Sequence, residues 1–486
     1  MRVDEMCEAL VHRGPDDHGE QSVGAGRTLA HRRLSIVDLE HGRQPFVAAD
    51  ADRVLVANGE IYNAPELRAE LGAERFVSQS DNEVILHIVD QRGADGLGDL
   101  RGMFAFALAS GDELLLGRDP LGIKPLYVGD SADGLVFASE LKAFPAGTTG
   151  VRSVAPGTTF STRDGVASHW DIPAPQAGTT PFEIAAKEVR EVLDRAVTRR
   201  LMADVPVGAF LSGGLDSSAI CALIRQHVDE LHTFSVGLEG SPDLIAARRV
   251  AEHLGTIHHE HVLTEAEIVA ALPEIVASLE SFDQDLVRSA APTWFVAELA
   301  ARHVKVVLTG EGADELFSGY AYHGDFTDPW ALDAESRRSL GELHHVNLQR
   351  VDRMTMAHSL EARVPFLDVE LIDTVLRIDP EHKLPTVGGL EKALLRTAVE
   401  DLLPHEIVWR KKAQFDEGSG TADLLGTLRS MAEGLDVDAY RAAHPDAALR
   451  SAEECRYHQL LVDGVAHPDV VLPNVARWAS GRVDAN

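Results

Sequence analysis

Residues 208–218 read Gly-Ala-Phe-Leu-Ser-Gly-Gly-Leu-Asp-Ser-Ser, a short apolar run that breaks into glycines and hydroxyls before an apolar helical stretch. A strand ending this way sets free backbone N–H groups at a helix N-terminus, where phosphate oxygens are favoured. Gly213 and Gly214 permit close approach or positive φ, and Ser212, Ser217 and Ser218 add hydroxyl donors. The lysine of the G-x-x-x-x-G-K-[ST] loop is missing, so nothing here indicates transfer of a terminal phosphoryl group. Ser-Gly-Gly alone would serve equally as a capped strand-to-helix turn.

A second string, Val-Lys-Val-Val-Leu-Thr-Gly-Glu-Gly-Ala-Asp-Glu-Leu-Phe-Ser-Gly-Tyr at 304–320, repeats the plan: strand, glycine turn, then acids as a helix begins. Glu311 and Asp314 are three apart and share a face if the helix has started there, with Glu315 and Asp216 as further oxygen ligands. Short-stemmed carboxylates suit Mg²⁺ held between protein and phosphates, with Asp216 and Asp314 as the candidate ligands. Acids at a helix start also merely favour its dipole. Both loops follow expected parallel strands, whose carboxyl ends form the usual mouth of an open α/β site.

The elements that must position these loops change character along the chain. From about Arg27 to Thr162, short apolar runs separated by turns read as strands, interrupted by helical passages at Ala64–Leu71 and Asp81–Gly93. Asp171–Pro181, rich in Pro, Gly and Thr, reads as a linker. Beyond it, helices at 182–201, 217–228 and 243–254 alternate with strands at 207–211, 231–236, about 258–262 and 304–308, the rhythm of a parallel sheet. Helices prevail after about Gly310, and the final WASGRVDAN reads as a frayed tail. The division is 1–170, linker 171–181, and 182–486.

With 486 residues, 45% hydrophobic and 25% charged, the chain has material for two or three cores. Its formal net charge of -32 argues against broad nucleic-acid or membrane-surface binding. Cys7, Cys221 and Cys455 are far apart and lack metal-ligand spacing, which suits a reducing cytoplasm. No apolar run is long enough to span a membrane, and the start is acidic rather than signal-like. His258, His259 and His261 invite a metal assignment, but their closeness on an expected strand favours an edge or core role over zinc.

Taken in order, HRGPDDHG, HRRLSIVDLEHGRQPF, NGEIYN, SDNEVIL, GMFAFAL, GRDPLGIKPLY, FLSGGLDSS, FSVGLEGSPD, GTIHHEHVLT, LTGEGADELFSGY, LEARVPFLD and WRKKAQF cover nearly the whole chain. This ordered set resembles the glutamine-dependent asparagine synthetases of bacterial type. The resemblance implies an α/β protein: an N-terminal-nucleophile-type layered sandwich, incomplete here, and a parallel-sheet ATP-pyrophosphatase domain with a helical C-terminal part. It implies ATP and Mg²⁺ as cofactors, aspartate with glutamine or ammonia as substrates, and a homodimer. In this reading aspartate is adenylated, pyrophosphate leaves, and ammonia displaces AMP.

Carried over residue by residue, Ser212, Gly213, Gly214, Asp216 and Ser217 form the pyrophosphate loop, and Leu211, Val236, Thr309 and Gly310 the adenosine side. Glu311 and Asp314 match residues serving metal and the reacting carboxylate; Arg350 and Lys412 match cations that orient charged intermediates. A helix-surface salt bridge is the alternative for Arg350. Ser241 and Asp243 either cover the substrate or simply cap a helix. In the first domain, Arg33 matches the partner of the glutamine α-carboxylate, with the backbone of Arg33, Leu34, Ser35, Ile36 and Val37 lining the pocket. Asn58 and Gly59 match the oxyanion hole, while Glu60 and Asp81 match the residues recognising the ammonium end.

One departure stands out. The family pattern opens with methionine and a catalytic cysteine followed by an apolar strand, whereas this sequence opens MRVDEMCEALVHRGPDD. Cys7, on an expected helix beside Met6, Leu10 and Val11, reads as a buried structural thiol rather than a substitute. A start placed too late in the gene and a genuine loss both account for this. Relatives with other products remain open: a β-lactam-forming synthetase, a secondary-metabolite amidotransferase, or a non-catalytic nucleotide-binding regulator. The expectation for the sequence as written is asparagine from ammonia and not from glutamine. Assays of AMP and asparagine with each nitrogen source check it, and equal glutamine-driven synthesis would contradict it.

Overall fold

The first unit gathers residues Met1–Ile172, Arg199–Pro206 and Met356–Ser359. The computed structural model describes residues 3–24, 26–48, 52–176, 178–385, 390–411 and 434–477; Lys412 and the tail 478–486 lie outside these. In chain order the first unit's strands are β1 (Asp17–Val23), β2 (Arg27–Arg33), β3 (Phe46–Val47), β4 (Arg53–Ile61), β5 (Gly102–Ser110), β6 (Glu113–Arg118), β7 (Tyr127–Ser131), β8 (Gly134–Ala138), β9 (Thr149–Ser153), β10 (Thr158–Ser161) and β11 (Gly165–Ser168). Six of them form one sheet in the order β11-β10-β6-β5-β4-β3, flanked by the pair β1-β2 and the three-stranded β8-β7-β9.

Period-two alternation in β5 explains the layering. Phe104, Phe106 and Leu108 pack with α2 (Ala64–Leu71) and α3 (Glu83–Arg92) on one face. Ala105, Ala107 and Ala109 point the other way, joining Val23, Leu29 and Val128 from the smaller sheets. Large side chains fill the gap under helices, and small ones let strands approach. The opening helix α1 (Val3–Glu8) buries Cys7, and burial pushes its thiol up to about 11, which disfavours the thiolate.

The second unit comprises Pro173–Thr198, Val207–Thr355 and Leu360–Asn486. Its sheet holds β12 (Val207–Phe210), β13 (His232–Leu238), β14 (Ile257–Leu263), β15 (Val306–Leu308) and β16 (Glu361–Arg363) in the order β14-β13-β12-β15-β16. Every neighbouring pair is parallel. The helices used below are α4 (Phe182–Arg199), α5 (Leu215–Ile224), α6 (Pro242–Leu254), α7 (Glu265–Leu279), α8 (Gln284–Ala301), α9 (Ala313–Phe317), α10 (Pro329–Glu342), α11 (Asn347–Met356), α12 (Val369–Arg377) and α13 (Ala393–Val399). Local chemistry sets several ends: Ser241 caps α6 with Pro242 as first residue and Gly255 left-handed after it, and Thr264 with Glu267 closes a capping box on α7.

Two short returns of the chain to the first unit have no signature in residue pattern. At 199–206, the Asp204 N–H donates to the Ile36 carbonyl at 2.9 Å, and the Asp38 N–H donates to the Asp204 carboxylate at 2.8 Å. At 356–359, the Ser359 hydroxyl donates to the His12 carbonyl at 2.7 Å. Among the described residues no helix is long and apolar enough to cross a membrane.

Candidate active site

From β12 the chain runs outward through β13 and β14, then returns to lay β15 and β16 on the other side. The border of β12 and β15 is therefore the topological switch point, outside whose carboxyl ends ligands bind in such sheets. Ala209 sits opposite Leu308, so the two glycine loops leave the sheet side by side. They touch: a Cβ on Gly310 would lie 2.9 Å from Asp216 Cβ and 3.1 Å from the Ser217 nitrogen. Gly213 has φ +72°, and a Cβ there would run into the backbone of Ala246 and Ala247 in α6.

Inside the first loop the serines organise the backbone. The Ser212 N–H donates to Ser217 Oγ at 3.1 Å, the Gly214 N–H to Ser212 Oγ at 3.3 Å, and the two hydroxyls are 3.0 Å apart. Leu211 is buried and its N–H donates to the Phe234 carbonyl at 2.8 Å; Val236 is buried beside it on β13. On the second loop, the Thr309 N–H donates to the Arg363 carbonyl at 2.9 Å and the Glu311 N–H to Thr309 Oγ1 at 3.4 Å.

The charged groups converge on a lysine absent from the expected set. Lys392 Nζ donates to both oxygens of Asp216, at 2.7 and 2.6 Å, and also pairs with Asp314 Oδ1. Its side chain is 2% exposed. Burial opposes its charge, but the two carboxylates outweigh that and hold the ammonium well above the ordinary lysine range. Lys392 also has φ +59°, in the left-handed region that lysine seldom adopts.

Glu311 and Asp314 do not share a helix face. Gly312 is left-handed and α9 begins only at Ala313, so Glu311 precedes the helix. It pairs instead with Arg350 of α11, which is buried rather than a surface cation. Glu315 turns inward from α9, accepting from Tyr320 Oη and, at 3.3 Å, from Asn347 Nδ2. Burial pushes its carboxyl up to about 7, aided by the neighbouring Asp314 charge. Ser241 takes the capping role, and Asp243 lies buried at the start of α6, its carboxyl pushed up to about 6 by burial despite Arg410 at 3.0 Å. Arg410 also donates to the Gly213 carbonyl at 3.4 Å, bracing the serine loop.

A second constellation lies in the first unit. Arg33, buried, donates to the carbonyls of Val37 at 3.0 Å and Asp38 at 2.7 Å, holding the 34–38 loop around itself. The Ser35 N–H in that loop donates to Asp16 at 2.8 Å. Asn58 Nδ2 is buried with no hydrogen-bond partner among the described residues, a donor waiting for an acceptor. Gly59 has φ +133°, and a Cβ there would enter the Met103 carbonyl. Glu60 is buried, Asp81 accepts from the Ile61 N–H at 2.6 Å, and Asn82 Nδ2 donates to the Gly59 carbonyl at 2.7 Å. Beyond Leu55, the outer edge of β4 has its Ala57 N–H and carbonyl paired by the Gln44 side chain.

His258, His259 and His261 do not converge. His258 is hydrogen-bonded between Thr233 at 3.0 Å and Ser235 at 3.1 Å within the sheet, and β14 is its edge strand.

The asparagine synthase family model matches residues 188–331 and 325–461, and the glutamine amidotransferase domain model matches 1–158. Asparagine synthetase B [glutamine-hydrolyzing] of Escherichia coli (strain K12) is 39% identical over 453 residues, covering 88% of this chain and 81% of its own length. Asparagine synthetase [glutamine-hydrolyzing] 2 of Arabidopsis thaliana is 38% identical over 448 residues, with 87% and 77% covered. A probable asparagine synthetase [glutamine-hydrolyzing] of Schizosaccharomyces pombe is 38% identical over 515 residues, with 97% and 91% covered.

Gly319 offers a steric test of the charged cluster. A Cβ there would overlap Asp314 Oδ1 and the Lys392 side chain, whereas one on Gly324 meets nothing within 4 Å. Gly319→Ala should lower pyrophosphate release by roughly 100-fold, the size of losing one charge-stabilising group, and Gly324→Ala should leave it unchanged. Steady-state release by the two folded variants checks this.

Proposed function

The chain belongs to the glutamine-hydrolysing asparagine synthetase family, and on that premise we propose how its own residues divide the reaction. It is an ATP-dependent carbon–nitrogen ligase that takes its nitrogen from glutamine or ammonia. The observation that carries the assignment of roles is the meeting of Asp216 and Asp314, from two adjacent strand ends, on the Lys392 ammonium.

A carboxylate is a poor electrophile. An aspartate side-chain oxygen attacks the α-phosphorus of ATP, the bond from that phosphorus to the bridging oxygen breaks, and pyrophosphate departs with the electron pair. Ammonia then attacks the acyl carbon, the carbon–oxygen bond to AMP breaks, and the amide remains. Negative charge concentrates on the departing pyrophosphate, so donors must be in place beforehand. The backbone of Ser212–Ser217 cradles that group, with the Ser212 and Ser217 hydroxyls holding the loop in shape. Leu211 and Val236 enclose the base, and Thr309 and Gly310 border it. Lys392 holds the two acids at a fixed separation. Arg350 orients Glu311 beside the reacting carboxylate, and the resemblance alone assigns Lys412 to the charged intermediates.

Asp216 and Asp314 fit Mg²⁺ in kind: both are hard oxygen donors on adjacent loops, and their meeting on the Lys392 ammonium supports a cation site beside that group. Bound there, Mg²⁺ would supply charge neutralisation for the polyphosphate. In the first unit, Arg33 is placed to receive the glutamine α-carboxylate, Glu60 and Asp81 its ammonium, and Asn58 Nδ2 with the Gly59 N–H an oxyanion, whose formation needs the family's cysteine nucleophile, which the sequence as written does not carry. The reading includes a cytoplasmic location, carried by the cysteine usage, and a homodimer, carried by the resemblance.

Isotope transfer tests the adenylation step. With aspartate labelled by ¹⁸O in its side-chain carboxylate, ATP and ammonium, the AMP formed should carry one ¹⁸O atom. Unlabelled AMP alongside labelled asparagine would reject attack by that carboxylate.

A further inference from the structure

The opposite end of the parallel sheet carries a cluster that amide synthesis does not use. His232 opens β13, His259 is the third residue of β14, and His303 follows α8. One ligand atom from each lies within 4.8 Å of the other two. His232 Nδ1 is 2.9 Å from His259 Nε2, and the His259 and His303 ring centres are 3.9 Å apart. We propose that these three imidazoles form a site for a divalent transition-metal ion of the zinc type, distinct from the carboxylate cation site at the strands' carboxyl ends.

The donor chemistry selects the ion. Neutral imidazoles suit zinc, copper and nickel, whereas Mg²⁺ requires oxygen. Zinc–nitrogen bonds of about 2.0–2.1 Å place ligand nitrogens roughly 3.4 Å apart in a tetrahedron. The His232–His259 pair is already near that spacing, and the exposed His303 has room to rotate. At 2.9 Å one facing nitrogen donates to the other; on binding, the ion would take that position and the proton would move to the other nitrogen of the His259 ring. Glu230 lies 3.6 Å from His232 Nε2, favouring a proton there and a lone pair on Nδ1, the carboxylate–imidazole arrangement common around metal-ligating histidines. Buried Phe234 forms an apolar floor, its ring centre 5.1 Å from that of His259 and 5.8 Å from that of His303. Burial and the two neighbouring imidazoles lower the pKa of His259, so protons compete weakly for its lone pair. The ion would pin β13, β14 and the end of α8 together.

Equilibrium dialysis of untagged, metal-stripped protein against Zn²⁺ alone, and against Zn²⁺ with excess Mg²⁺, tests the assignment. One Zn²⁺ per chain should bind under both conditions. Affinity should fall at least about tenfold in His303→Gln, an exposed position where folding is secure, and further in His259→Ala. Rates of asparagine formation by wild type and His303→Gln should match. Absence of stoichiometric binding, or binding unchanged in both variants, would leave the histidines as stacked rings alone and overturn the site.

Discussion

One ammonium held by two carboxylates from different loops is the constraint on which the synthetase site depends. Asp216 belongs to the loop after β12 and Asp314 to the loop after β15, and Lys392 reaches both from the start of α13. With only 2% of its side chain exposed, the lysine keeps its charge because the acids are there. Removing one partner of such a buried pair costs about 3–5 kcal/mol, so the three groups fix each other. The left-handed backbone of Lys392 is tolerated for the same reason.

The sheet makes this meeting unavoidable. Reversal of strand order at β12 and β15 puts two glycine loops next to each other, and Gly310 lets them close to van der Waals distance. Arg410 braces the serine loop from behind through the Gly213 carbonyl and Asp243. Arg350 performs the matching task for Glu311. Two loops with acids would otherwise repel each other; the cations make them one surface that can receive a polyphosphate and a carboxylate together.

Much of this was legible in the residues because it is local. Glycines, serines and acids at strand ends announce themselves by type and spacing, and the alternation in Gly102–Ser110 announces a two-faced strand. What escaped is set by contacts remote in sequence. Lys392 sits 176 residues from Asp216, within an ordinary helical run, so no spacing rule could find it. The returns at 199–206 and 356–359 are held by partners remote in sequence, among them Ile36, Asp38 and Tyr62 for the first and His12 for the second. The late start of α9, which parts Glu311 from Asp314, follows from the left-handed Gly312, whose place against Leu367 is a tertiary matter. The histidine trio likewise combines three separate elements.

If Asp216 and Asp314 act on one reacting centre, their effects cannot be independent. A double-mutant cycle of Asp216→Asn and Asp314→Asn, read as the rate of aspartate-dependent pyrophosphate release, measures this directly. The account requires the double variant to lose far less than the summed single losses, a coupling of about 1–3 kcal/mol. Losses that add to within about 0.5 kcal/mol would mean two separate places, and would contradict it.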